Sequence, residues 1–426
     1  MPAFTNYSLH KPLSVSPNGR YLVDAAGKPF FWLGDTAWPL FAQYTRADAL
    51  RYLENRAAKG FTVIQGVLGW GGGTGYESRL PGPNYAGNEP WSGDPSQPNE
   101  AYFEHVDFLL EKAAQLGLVL AILPTWGYYV NDIRLFNPDN ARQYGLWLGK
   151  RYRETPNLVW VNGGDRIPTG CEEVYRALAL GLREGDGGAH LITYHPCGWR
   201  SSAQFFHHES WLDFNMIETW TEWFKVYQSV LSDAQLTPIK PVVLGEGAYE
   251  DGPEYPLGPI TPLICRRQAW WAFCANGFFT YGQNQNWRYE PAWADSLDTP
   301  GAFQMGILRQ IAESRPWYQR IPDQGLINSG ESSERTLNTA VRAEDSTWAM
   351  IYCASACNVQ INLDKILTRS VKAAWINPAN GETLDAGSYP TGNLIEGRVF
   401  PLRSPQWFTT PPRWEDAVLA LDGTRD

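Results

Sequence analysis

The chain has 426 residues, is 43% hydrophobic and 14% aromatic with 20 Trp, and carries a formal net charge of -10. That length accommodates a large α/β barrel of about 250–300 residues plus a second module, and the negative charge, with no basic run, excludes a nucleic-acid partner. The N-terminal MPAFTNYSLHKPLSV lacks the charged start and apolar stretch of an export signal, and no segment reaches the roughly 18 consecutive apolar residues of a membrane helix, so a cytoplasmic protein without a membrane partner is expected.

In chain order, eight apolar segments read as strands: 29–35, 61–69, 118–126, 157–165, 190–196, 214–220, 240–246 and 277–284. They are apolar nearly throughout, as strands are when helices cover both faces of a parallel sheet. Helical periodicity separates most of them. ADALRYLENRAAKG closes on Gly60, EAYFEHVDFLLEKAAQLG on Gly117 and PLICRRQAWWAFCANG on Gly277, each Gly standing where a left-handed cap is expected. Eight strands with crossover helices favour a closed (β/α)8 TIM barrel over an open doubly wound sheet. After the second strand, residues 68–100 form a Gly-, Pro- and aromatic-rich loop with no regular period, expected to be a wall or lid over a site.

The helix GAFQMGILRQIAE leads into SRPWYQRIPDQG, which reads as the exit from the barrel, giving a catalytic barrel over 1–323. Over 324–426 short alternating strands with turn signals at NG and DG predict an antiparallel β-sandwich accessory domain. Cys171, Cys197, Cys265, Cys274, Cys353 and Cys357 show no paired CxxC spacing and read as mostly free thiols. Adjacent His207 and His208 do not aim at one ion, and HExxH is absent, so no metal is expected. The GGGTG run lacks a following GK[ST], so no nucleotide cofactor is expected either.

Two strands end on carboxylates: NLVWVNGGD on Asp165 and KPVVLGE on Glu246. In a barrel, strand C-terminal ends form the active-site rim. Acids from the fourth and seventh strands would face each other across it, as glycosidic cleavage requires, with a gap of about 5 Å for retention or about 6.5–9.5 Å for inversion. Asp165 is expected to be the acid/base and Glu246 the nucleophile, with Asp165 held at a raised pKa. Asp35, in FFWLGDTAW, either binds sugar hydroxyls or caps the following helix. Trp38, Trp70 and Trp126 are candidate stacking surfaces for a carbohydrate, because a flat apolar ring covers sugar C–H groups. Gln65 is a polar residue in an apolar strand and must be satisfied by the site or by a neighbour. His195 and Glu218 end the fifth and sixth strands; each binds hydroxyls, orients an acid, or is structural. Tyr249 and Glu250 follow Glu246 and are placed to orient it, and Tyr281 and Gln283 add a polar edge at the eighth strand.

The stretches FFWLGDTAWPLF, YLENRAAKGFTVIQ, LVWVNGGD and PVVLGEGAYE resemble the apiosidase-like glycoside hydrolases, a (β/α)8 family followed by a small collagen-binding-type domain. KAAWINPANGETL and AVLALDG are similar to that accompanying sandwich. The resemblance implies retaining, exo-acting release of terminal β-linked apiose from plant glycans or glycosides, with acid/base Asp165 and nucleophile Glu246. Exo-glycosidases of the same barrel class acting on another sugar, and a non-catalytic carbohydrate-binding protein, are the alternatives.

Overall fold

The computed structural model describes residues 4–71, 80–253, 256, 258–395, 398–401 and 405–424. Eight parallel strands build the barrel: β1 (Leu33–Thr36), β2 (Val63–Val67), β3 (Val119–Leu123), β4 (Leu158–Gly163), β5 (Ile192–His195), β6 (Asn215–Glu218), β7 (Val242–Glu246) and β8 (Phe278–Tyr281). Every residue in them is buried, which is why the sequence shows no alternation. The hydrogen-bonded order is β5-β4-β3-β2-β1-β8-β7-β6, with the antiparallel pair Arg200–Ser201 on the outer edge of β6. No ladder joins β5 to β6. The gap is closed by the Asp213 N–H donating to the Ile192 carbonyl at 2.8 Å, the Ile192 N–H donating to the Asp213 carboxylate at 2.7 Å, and the Thr193 hydroxyl donating to the Phe214 carbonyl at 2.6 Å.

The crossover helices are α1 (Arg46–Ala58), α2 (Glu100–Gln115), α3 (Pro138–Tyr152), α4 (Glu172–Asp186), α5 (Ala203–Phe206), α6 (Val226–Ala234), α7 (Pro262–Cys274) and α8 (Pro300–Glu313). Side chains start several of them: Thr45 accepts from the Asp48 N–H, and Asn137 and Asn140 form a reciprocal capping box. Gly60 and Gly117 take the predicted left-handed cap, but α7 ends on Asn276, at φ 72°, rather than on Gly277. The first predicted strand also divides. Pro29–Phe30 belongs to a separate antiparallel sheet with Ser14–Val15 and Leu22–Val23, and only Leu33–Thr36 enters the barrel.

The C-terminal segment opens with Arg320–Pro322 and forms a six-stranded antiparallel sheet facing a three-stranded one (Ile327–Ser329, Asn358–Ile361 and Gln406–Thr409). The NG signal marks a true turn between Ser370–Ile376 and Thr383–Pro390, whereas the DG pair, Asp422 and Gly423, lies inside the last strand. Period-two geometry gives strand Trp348–Cys353 two different faces. Ala349, Ile351 and Cys353 enter the sandwich core, while Trp348, Met350 and Tyr352 join the barrel's core. Tyr352 stacks on Trp270 of α7 with ring centres 5.6 Å apart.

Beside this stack the two segments share a buried ion pair. Arg266 of α7 donates to Asp416 at 2.8 Å and to Gln304 at 2.7 Å, and the Tyr352 hydroxyl donates to Asp416 at 2.9 Å. Both charged side chains are nearly inaccessible. Arg266→Ala is expected to cost roughly 3–5 kcal/mol, because it strands the Asp416 charge without its cation. Thermal unfolding measures this, and Arg266→Met combined with Asp416→Leu should recover most of the loss.

Among the described residues no helix is long and apolar enough to cross a membrane, and all six cysteines are free.

Candidate active site

Three successive left-handed residues deliver Asp165. Gly163, Gly164 and Asp165 have φ of 89°, 118° and 48°, a turn that L-residues other than Asn and Asp adopt with difficulty. It is also crowded. A Cβ on Gly163 would lie 2.3 Å from the His195 carbonyl oxygen, and one on Gly164 would lie 2.6 Å from the Trp126 ring. Gly164→Ala is therefore expected to lower kcat/KM by about 100-fold through displacement of Asp165, since small misplacements of a reacting group are that costly. Steady-state kinetics on a correctly folded variant tests it.

A bulge delivers the other acids. β6 and β7 run in register through Ile217 and Leu244, then Glu218 pairs with Glu246, leaving Gly245 as the extra residue. The shift re-aims the end of β7 and sets the Glu218 and Glu246 carboxyls side by side. The Gln65 side chain donates to the Gly245 carbonyl at 2.7 Å, and Gln268 bonds both backbone groups of Ala248, so the chain carrying Glu246 is held on both sides.

His195, fully buried, sits beneath the acids. Its Nδ1 faces the Pro196 carbonyl at 2.8 Å, which requires an N–H there, and its Nε2 stands 3.2 Å from Glu246 Oε2. A neutral ring would then aim a lone pair at a carboxylate. Burial lowers the pKa of His195, but the hydrogen bond and charge of Glu246, followed by the charge of Asp165, outweigh it and raise the pKa above the usual value. Burial, and next the Glu246 charge, raises Asp165 to about 7. Burial with the Asp165 and Glu246 charges holds Glu218 well above the ordinary range. One donor atom from each of Asp165, His195, Glu218 and Glu246 lies within 4.8 Å of the others. Such a site holds a carboxylic acid and a carboxylate together at neutral pH, the pairing that glycosidic cleavage uses. The same donors could also hold a divalent cation.

The three acids of the cluster line a cavity of about 550 Å³. Trp38, Trp70, Trp126, Glu218 and Tyr249 line it as the sequence suggested, together with Asp165 and Glu246. The Trp126 ring packs edge-on against Trp38 at 5.1 Å and Trp70 at 5.3 Å, making a continuous aromatic wall. Of the predicted loop wall over 68–100, Trp70 reaches the cavity and Trp91 packs on Phe136 and Tyr144; residues 72–79 lie outside the described residues.

Six suggested residues do not line this cavity, His195 among them because it is fully buried. Asp35 is fully buried against Arg56 and Tyr52 of α1, so it neither meets a sugar nor caps the helix, whose N-cap is Thr45. The Gln65 amide nitrogen donates to Gly245 and Thr36, so the residue acts through the backbone before Glu246. Glu250 accepts from the Tyr281 hydroxyl and the Gly301 N–H, away from Glu246, and Gln283 caps the short helix Asn284–Arg288. Residues not anticipated are Trp199, Arg200, Trp220 and Trp287, all on the cavity wall just beyond strand ends. The three tryptophans carry the same signal as Trp38, Trp70 and Trp126, an aromatic ring just past a strand end, here after β5, β6 and β8; Arg200 carries no such signal.

Residues 16–319 match the family described as "Apiosidase-like, catalytic domain". The chain belongs to this family. Residues 321–422 match the "Putative collagen-binding domain of a collagenase". A solved structure described as a glycoside hydrolase is 26% identical with a TM-score of 0.88, over 100% of this chain and 99% of its own. A glycoside hydrolase family 5 crystal structure from Bacteroides vulgatus is 27% identical with a TM-score of 0.87, over 99% of this chain and 95% of its own. No curated protein matches the sequence. The apiosidase-like protein is thus a glycoside hydrolase with a (β/α)8 barrel and a C-terminal β-sandwich, and its substrate is a carbohydrate.

Proposed function

We propose that this enzyme is a retaining, exo-acting hydrolase that releases terminal β-linked apiose from plant glycans or glycosides. The observation that carries the reading is the close approach of Asp165 and Glu246, whose facing atoms lie within 4.8 Å, in a barrel of the apiosidase-like family. A gap near 5 Å suits attack by a carboxylate, whereas inversion needs about 6.5–9.5 Å to seat a water. Protonated Asp165 donates to the departing oxygen while the Glu246 carboxylate attacks the anomeric carbon. Asp165 then takes a proton from the water that cleaves the glycosyl–enzyme bond. Glu218 remains protonated beside Asp165, and His195 fixes the Glu246 carboxyl from below. The aromatic wall covers the sugar's C–H face.

The test is release of free apiose from β-apiosides and pectic oligosaccharides, with product configuration followed by NMR. Apiose appearing first as the β anomer supports the reading; release of a different sugar from the panel, or α-anomer product, replaces it.

The four-donor cluster favours one second reading, hydrolysis assisted by a divalent cation held by Asp165, His195, Glu218 and Glu246. The acid–carboxylate pair needs no ion, so exhaustive treatment with EDTA is expected to leave turnover unchanged. Loss of turnover, restored by adding back a cation, would assign the cluster to a metal.

A further inference from the structure

A second cavity, of about 450 Å³, adjoins the central one, and Trp199, Arg200 and Glu218 line both. That volume is within the roughly 300–1,000 Å³ of small-molecule sites. Its far wall is the polar face of α6, carrying Gln228, Ser232 and Asp233, and Asp233 accepts a hydrogen bond from the Ser201 hydroxyl. Amides, hydroxyls and a carboxyl facing an aromatic ring form a surface that suits a sugar better than an apolar aglycone.

The boundary between the cavities is built under strain. Trp199 and Trp220 have φ of 63° and 41°, on neighbouring loops, with ring centres 5.6 Å apart. Bulky residues with positive φ are costly outliers, and such strain persists where surrounding structure and function hold it. The cost does not secure core packing at Trp199, whose side chain is 48% exposed. It holds a large aromatic surface out at the mouth, between the two cavities.

We propose that the second cavity is a binding site for the aglycone and that the aglycone is itself an oligosaccharide, its first sugar lying on Trp199 and its next reaching the polar wall of α6. This rests on reading the central cavity as the site of the terminal sugar. It selects glycans over small glycosylated metabolites as substrates.

The experiment compares kcat/KM for an aryl β-apioside with that for a pectic oligosaccharide ending in the same sugar, in wild type, Trp199→Ala and Gln228→Ala. Both side chains are at the surface, so folding is preserved. The loss on the oligosaccharide is expected to exceed the loss on the aryl glycoside by about tenfold in Trp199→Ala, mostly through KM, which corresponds to about 1.4 kcal/mol. A smaller excess in the same direction is expected in Gln228→Ala. Equal losses on both substrates, or no loss on either, overturn the proposal. If wild type cleaves neither substrate, the choice of sugar fails, and the outer site is tested by calorimetric binding of mixed pectic oligosaccharides to Glu246→Gln with and without Trp199→Ala. Binding weakened about tenfold by Trp199→Ala supports the site, while unchanged or undetectable binding removes it.

Discussion

Glu246→Gly is expected to reduce kcat by about 10⁴-fold or more, the scale seen when a covalent nucleophile is removed while the remaining site stays intact. The deletion vacates the space beneath the anomeric carbon but leaves Asp165, Glu218 and the aromatic wall in place. Azide should enter that space and restore turnover with a good leaving group, attacking from the side Glu246 occupied. The glycosyl azide would have inverted configuration, because one displacement replaces two. Azide rescue with retained configuration would place the nucleophile elsewhere, and full activity in the variant would remove Glu246 from the chemistry. His195 provides an internal control. Its Nε2 lies 3.2 Å from Glu246, so His195→Gln should impair turnover less than loss of Glu246 and should not respond to azide.

Most of the barrel was legible because its strands announce themselves twice, by unbroken apolar runs and by the helices between them. Edges were harder to read. Pro29–Phe30 and Leu33–Thr36 form one apolar run in sequence but belong to two sheets, and local pattern carries no information about a strand's partner. The closure between β5 and β6 depends on Asp213 and Thr193 instead of a ladder, a tertiary arrangement with no local signature.

The site shows the same division. Asp165 and Glu246 were legible because each ends a buried strand beside glycine. Asp35 satisfies that rule too, yet its charge is taken up by Arg56 and Tyr52, which stand four residues apart on one face of α1. A strand-end acid therefore has to be weighed against cations on the helix that follows. Glu250, expected to orient Glu246, and Tyr281 and Gln283, expected to add a polar edge, bond among their own neighbours instead. The β6–β7 bulge, which sets Glu218 beside Glu246, was invisible: Gly245 reads only as a small residue before an acid.

Asp165→Asn is expected to produce a loss that depends on the leaving group. About 10²–10⁴-fold is the usual contribution of a positioned proton donor, so poor leaving groups such as sugar alcohols should show the full effect and activated aryl groups much less. The pH profile gives the sharper test. Asp165, raised to about 7 by burial and the Glu246 charge, is protonated below that pH and loses its proton above it, so wild-type kcat/KM should fall on the alkaline side near pH 7. The Asn variant should lack this limb with aryl substrates, and an unchanged limb would assign it to another group. The proton also affects stability. Between the unfolded value of 3.8 and the folded value of about 7, the native state holds a proton that the unfolded chain has released, so stability falls as pH rises through this window and levels off above it. Asn cannot ionise and escapes the penalty. Its melting temperature relative to wild type should rise between pH 4 and pH 8, while activity on natural substrates stays low throughout, which separates the loss of a proton donor from a loss of folding.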